Sequence, residues 1–424
     1  MKRKIGSVFL SVAVTAAVAL AGCANNTGSN SEGESGSKTV TLKVWGDQGN
    51  QATTEKGFKE INEVFMKKNP EIQIDYQYTG KEEVIDTAVK SNSLPDVFFV
   101  QGNKTPKMKM YVDSGSLLPL NDYKLETSRY SKEAIEYGTI DGKLYTSPPS
   151  FMDSQLMYYN KDLFKKYGLE VPKNFDEFVK VVDTLKSKGI TPIAMPGKDT
   201  WSRLWIAFSL LPALGNDAIE RINNGQGDFS DPSIIKTFQT IRDFADQGYF
   251  SKDLGSVDTA GAQLAFTNGK AAMIADGTWN NTTYESSMSN VGRFYIPGTD
   301  GKKTAPQSLS NLMTYAVSAN TKHPKEAAEY IKFLASQEAQ QIFATETGAV
   351  PIIDDIKPKD EGVKELAAYD VLGHNIYTVL TTVSTDQVKL TDIFLEDVMP
   401  KLLTGEITGQ EAAQILNKAL AKTK

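Results

Sequence analysis

The sequence predicts an α/β protein built on parallel sheet. Three observations carry this. Stretches that alternate apolar and polar residues are followed by stretches of helical period. One short run, "PDVFFV" at 95–100, is apolar without alternation, as expected for a strand covered on both faces. Helix start signals recur between the strand-like segments, which places the helices as crossovers between parallel strands.

In chain order, "TVTLKVW" sets Val40, Leu42 and Val44 on one face of a first strand. "FKEINEVFMKKNP" gathers Phe58, Ile61, Val64 and Phe65 on one helical face, and Asn69-Pro70 ends it. "EIQIDYQY" alternates again through Ile72, Ile74, Tyr76 and Tyr78, and "PDVFFV" follows. Asn174 and Glu177 have capping-box spacing before Phe178, Val181, Val182 and Leu185, with Gly189 as the stop and "ITPIAM" as the next strand. Thr408 and Glu411 form a second such box before "AAQILNKAL". From about Lys357 onward the pattern is mainly helical, and no short-period repeat occurs.

The first residues stand outside this pattern. Lys2, Arg3 and Lys4 precede an apolar run from Val8 to Ala21, too short for a comfortable membrane span and suited to a secretory signal over 1–22. It ends in "LAGC", which resembles the lipobox of bacterial lipoproteins. The resemblance implies cleavage before Cys23 and a lipid on that residue. Cys23 is the single cysteine of the chain, so no internal disulfide is available, and lipidation removes a free thiol. The Gly-, Ser- and Asn-rich segment that follows, to residue 38, has too little apolar area to order itself and suits a tether.

Composition narrows function. The 424 residues are 40% hydrophobic and 23% charged, with a net charge of −6, and a pI near 5.3. Nucleic acid, which requires a basic face, is not an expected partner. No Gly-x-Gly-x-x-Gly follows a strand, and "GTIDGKL" is short of a P-loop and lacks its Ser or Thr, so no nucleotide cofactor is expected. Two separated histidines, His323 and His374, with no second cysteine cannot make the usual zinc clusters, and Gly-x-Ser-x-Gly is absent. Paired carboxylates of a glycosidase cannot be read from sequence among 52 acids.

The four tryptophans point to a sugar. Trp45 sits in "VWGDQGN" and Trp279 in "ADGTWNN", each just past an apolar run, at the strand end where α/β sheets bind ligands. Asp47, Gln48 and Asn50 flank the first, and Asn280 and Asn281 the second. A flat indole covers the C–H face of a pyranose, and planar polar groups answer its hydroxyls. "VQGNK", with Gln101, Asn103 and Lys104, is a third such loop. Trp201 and Arg203 in "GKDTWSRLW" make a fourth, whereas Trp205 is expected to pack on its own helix. The glycines of "VWGDQGN" are too few and too widely spaced for phosphate. Whether Trp45 stacks on sugar or roofs its loop is open at this level.

"YTSPPSFMDSQLMYYNKDLFKKYGLEVPKNFDEF", "FTNGKAAMIADGTWN" and "HPKEAAEYIKFLASQEAQQIFATETGAVP" together resemble, in order, segments of the maltose-binding-protein-like, family 1 solute-binding proteins of ABC sugar importers. The resemblance implies a two-lobed periplasmic-binding-protein-like fold of type II, with mixed parallel sheets and three hinge crossovers. These are expected near Pro149–Asp153, Ser308–Leu312 and Gly348–Pro351. Lobe 1 would take 39–150 plus 311–350, and lobe 2 would take 151–310 plus 351–424. Trp279 matches the family's stacking tryptophan. Asn103 and Lys104 fall where relatives carry an Asp-Arg pair, Asp153 falls in a hinge segment facing the cleft, and Asn311 falls at a turn that departs from the family pattern.

The expected protein is a monomeric, lipid-anchored binding component on the outer face of the bacterial cell membrane. It would hand an oligosaccharide to membrane permease subunits, with no cofactor, no metal and no bond made or broken. A cell-surface glycoside hydrolase and a binder of a peptide or other non-sugar solute are the competing expectations.

Overall fold

The computed structural model describes residues 39–423, apart from 103–105, 253, 308–312, 354, 357–360 and 386. The expected signal, Cys23 and its tether, the Ser308–Leu312 crossing, and Asn103, Lys104 and Asn311 therefore lie outside the described residues.

Two separate four-stranded sheets organise the chain. The first joins β1 (Val40–Asp47), β2 (Ile72–Gly80), β3 (Val97–Gln101) and the later strand Met313–Val317. β1 runs parallel to both β2 and β3, pairing Leu42 with Ile74 and Val44 with Val97. The predicted alternation appears as buried Leu42 and Val44 between exposed Thr41 and Lys43. Met313–Val317 adds antiparallel to β3, with Val317 opposite Val97. The sheet is therefore mixed, because its fourth strand arrives from late in the chain instead of from a neighbouring crossover.

Helix α1 (Gln51–Lys68) covers this sheet with Phe58, Ile61 and Phe65. Phe58 stacks on Tyr76 at 5.3 Å and meets Phe343 edge-on at 5.4 Å. The helix starts seven residues earlier than its apolar period indicates. That first stretch, Gln51 to Gly57, lacks large apolar residues, and the Thr53 and Thr54 hydroxyls donate to the Asn50 carbonyl at its start. Asn62 is buried on this helix and accepts from Tyr330 Oη at 2.7 Å.

The second sheet has the order Thr191–Ala194, Ala271–Gly277, Gln155–Asn160 and Val291–Phe294. Only its first pair is parallel. Ala271–Gly277 is buried along its whole length. Helix Phe175–Ser187 packs here through Phe178, Val181, Val182 and Leu185. Its box is half formed: Asn174 accepts from the Glu177 N–H, but Glu177 turns back to the N–H of Lys173, one residue before the expected partner. Gly189, at φ +74°, follows the helix end and suits the left-handed turn there. Helix Trp205–Asn223 is apolar all round its first turns and is buried accordingly, including Trp205 at 3% exposure.

Beyond residue 360 the described helices are Glu361–Leu366, Ile376–Thr382, Leu390–Ile393, Met399–Leu403 and Gly409–Leu420, with a π-helical turn, Phe394–Val398, between the third and fourth. Thr408 and Glu411 form the full reciprocal box. The mainly helical expectation misses one strand, Val371–His374, which pairs in parallel with Thr304–Gln307. His374 at its end is tied up structurally, with Nδ1 2.6 Å from Glu220 and Nε2 3.2 Å from Asn223.

Candidate ligand cleft

The segments expected as the first and third crossings lie side by side. The Met152 N–H donates to the Val350 carbonyl at 2.9 Å, forming one antiparallel bridge. Against this bridge opens a cleft whose empty space, open solvent included, is about 480 Å³.

Four parts of the chain line it. Asn50, Thr53 and Thr54 come from the start of α1, so the early start of that helix is what brings their hydroxyl and amide groups here. Phe151, Met152 and Asp153 line it from the first connecting segment, and Gly348 to Val350 from the other. Thr278, Trp279 and Thr282 follow the central strand of the second sheet. Phe151 and Phe343 stack at 5.6 Å, 10° from parallel, as an aromatic wall.

Trp279 is half-buried and braced by Trp205, edge-on at 6.4 Å. Its ring lies so close to Gly277 that a Cβ there would overlap the indole. The turn carrying Trp279 is anchored below by Asp276. That fully buried carboxylate accepts from the Gly277 N–H at 2.6 Å, from Asn280 Nδ2 at 3.0 Å, from Gln263 Nε2 at 3.1 Å and from the Tyr284 hydroxyl. Burial pushes Asp276 up to about 6, against the lowering effect of these donors.

Asp153 is half-buried on the connecting segment. Its one direct hydrogen bond among the described residues is from Thr278 Oγ1, at a long 3.4 Å. Thr278 in turn accepts from the Ser154 N–H at 3.2 Å. Burial pushes the Asp153 carboxyl up to about 7, and the Thr278 hydroxyl offsets only part of that.

Of the residues expected to bind ligand, Asp153 and Trp279 line this cleft together. The others with described positions lie elsewhere. Trp45 is half-buried against the core of the first sheet, opposite Phe98 of β3. Asp47 is buried and occupied by its own turn, accepting from the Gly49 N–H at 2.8 Å and Asn50 Nδ2 at 2.6 Å. Gln48 is exposed, and Gln101 pairs with Met313 at the end of β3. Trp201 is 38% exposed and packs edge-on against Tyr377 at 4.9 Å. Asn280 is turned onto Asp276. The hydroxyl set Thr53, Thr54, Thr278, Thr282 and Thr347 was not legible, since small hydroxyl residues near helix ends carry the same pattern as capping residues.

The sequence profile of the bacterial extracellular solute-binding proteins matches residues 46–341. The chain belongs to that family. Among its relatives, the multiple sugar-binding protein of Streptococcus mutans is 28% identical over 80% of this chain and 80% of its own. The diacetylchitobiose binding protein DasA of Streptomyces coelicolor is 26% identical over 83% and 82%. RafE of Streptococcus pneumoniae, solved without ligand, superposes with a TM-score of 0.72 at 26% identity, over 93% of this chain and 100% of that one. A second RafE structure holds raffinose, at TM-score 0.67 and 25% identity, over 91% and 100%. The two-sheet architecture of this solute-binding protein is the two-lobed fold of these neighbours.

Proposed function

We propose that this solute-binding protein is the lipid-anchored capture component of an ABC importer, and that it takes an oligosaccharide into the cleft and delivers it to the membrane permease. The observation that carries the reading is the meeting of Trp279 and Asp153 with the hydroxyl-bearing start of α1 across the Met152–Val350 bridge. An indole face and converging hydroxyl, amide and carboxylate groups are the chemistry a pyranose requires. The names of the relatives support a sugar.

In this reading, 39–150 with 311–350 and 151–310 with 351–424 are the lobes that close on the ligand, and ligand contacts to both tip a balanced open–closed equilibrium. Asn103, Lys104 and Asn311 are kept as further ligand contacts. Trp45, Asp47, Gln48, Gln101, Trp201 and Asn280 would touch ligand only if closure or a longer sugar reaches them. Cys23 carries the lipid and holds the protein as a monomer on the extracytoplasmic face.

Hydrolysis is disfavoured. Asp153 is the one carboxylate among the described lining residues, and Asp276 is sealed beneath Asn280 and Tyr284, so the described residues offer no carboxylate pair to a scissile bond.

A thermal-shift screen over oligosaccharides tests the reading. A sugar at about 100 times its Kd should add about 2.7 kcal/mol to stability. Shifts with peptides or ions and none with any carbohydrate would sink it.

A further inference from the structure

We propose that capture of the sugar at the hinge expels a proton from Asp153, which meets the ligand's hydroxyl groups as a carboxylate. The proposal rests on the sugar reading and adds a coupling to pH that the reading does not contain.

The geometry supplies the reason. A carboxylate accepts about four hydrogen bonds, and Asp153 has the single long one from Thr278. No Lys, Arg or His is among the described residues that line the cleft. Among the described residues, the charged groups of the neighbouring elements are engaged with one another, as Glu285 of the helix that carries Thr282 is with Arg293. At the end of β1, ahead of α1, Asp47 is engaged by Gly49 and Asn50. Lys56, further along α1, is paired with Glu346 of helix Gln337–Thr347 at 2.9 Å. Before Thr278, Asp276 is closed off by its own four donors. Gly348, Ala349 and Val350 carry no titratable side chain.

An isolated acid at the base of a partly enclosed cleft is disfavoured in its charged form, and burial duly pushes Asp153 up to about 7. A polyol replaces water there with hydroxyl donors aimed at the carboxyl oxygens. Hydrogen bonds to the charged form favour it, so the pKa falls on binding and the proton leaves to solvent. The sign follows. Affinity rises with pH up to about 7 and is level above it, while below 7 each bound sugar must first displace a proton. The alternative arrangement, a protonated Asp153 donating into a sugar oxygen, gives the opposite slope.

The test is calorimetric titration of the full chain with raffinose, stachyose, N,N′-diacetylchitobiose and maltotriose. Each is run in buffers of different ionisation enthalpy at pH 6.0, 7.0 and 8.5. The expected result is release approaching one proton per sugar at pH 6.0 and none at pH 8.5, with Kd weakening by up to about tenfold per unit below pH 7. Asp153→Asn should bind with no proton exchange and a flat pH profile. Binding with no proton exchange in the unmutated protein, or with proton uptake, overturns the proposal and leaves the sugar reading standing. Exchange that persists in Asp153→Asn overturns it as well. Absence of heat with every sugar at every pH overturns both.

Discussion

Gly348 adopts φ +68° immediately after helix Gln337–Thr347 and lies 3.4 Å, measured to the position its Cβ would take, from Thr282 Cγ2 across the cleft. It thus ends a helix, begins the segment that pairs with Met152, and sits against a residue from the other sheet's side of the site. A left-handed backbone beside a helix end is a glycine position, and a side chain there costs about 1–2 kcal/mol.

Gly348→Ala should therefore lower the urea midpoint by an amount equal to about 1–2 kcal/mol, with the slope of the transition unchanged. A midpoint equal to that of the parent protein would show that this turn relaxes without strain.

Trp279 and Gly277 should behave as one unit. Trp279→Ala should weaken sugar binding roughly tenfold or more with the fold intact, since an aromatic contact is worth about 0.5–1.5 kcal/mol beyond its area. Gly277→Ala keeps the tryptophan but places a methyl group where its ring lies, so the ring must shift. It should weaken binding to a similar extent, and the intrinsic fluorescence of Trp279 should shift. Full affinity in Gly277→Ala would mean that the indole has a second usable position.

How far these features were legible in sequence depends on the range of the contacts that make them. Leu42 and Val44 betray β1 because burial on a strand alternates over two residues, and Thr408 with Glu411 betrays a helix start because the box closes over three. The half-formed box at Asn174 is the limiting case, since Glu177 had two backbone donors in reach and took the earlier one. Asp47 shows that one local pattern carries two readings. An aspartate two residues before a glycine is also an Asx turn, and Asp47 accepts from Gly49 and Asn50 of its own turn. The cleft itself joins Asn50, Asp153, Thr278 and Gly348, which only tertiary packing brings together. Among these, Trp279 and Asp153 were found through family likeness and position on the chain, while the threonines carried no signal distinct from helix capping.

Asp276 should prove a positioning residue for the Trp279 turn. All four of its partners donate, so Asp276→Asn places an amide N–H₂ against at least one donor. The buried mismatch should cost about 1–3 kcal/mol of stability. Sugar affinity should also fall although residue 276 does not line the cleft, because the Gly277–Asn280 turn loses its anchor. Chemical denaturation read beside calorimetry separates the two effects. A destabilised variant with full affinity would assign Asp276 to the core alone.

Asp153 should carry a stability cost that its removal reveals. Its folded pKa, about 7, lies above the ordinary aspartate value of 3.8, so the folded state binds the proton more tightly than the unfolded chain does. The sign is that stability is fully present below about pH 4 and declines as pH rises through the folded value. Above pH 7 the folded protein bears a charged group in a poorly solvated place. Asp153→Asn removes that charge at constant shape. In the absence of sugar it should raise stability by about 1–3 kcal/mol at pH 8, after discounting for the partial exposure of the group. The gain should shrink steadily towards pH 4, where the carboxyl of the parent protein is neutral in both states. Thermal melts of the two proteins across pH 4–8 read this directly. If the difference in Tm does not change with pH, Asp153 is ionised throughout and its carboxylate is solvated in the open cleft. If the difference grows towards pH 8, the protein keeps an acid without a cationic partner among the described residues of its cleft at the expense of stability, as expected for a group held ready for a ligand's hydroxyls.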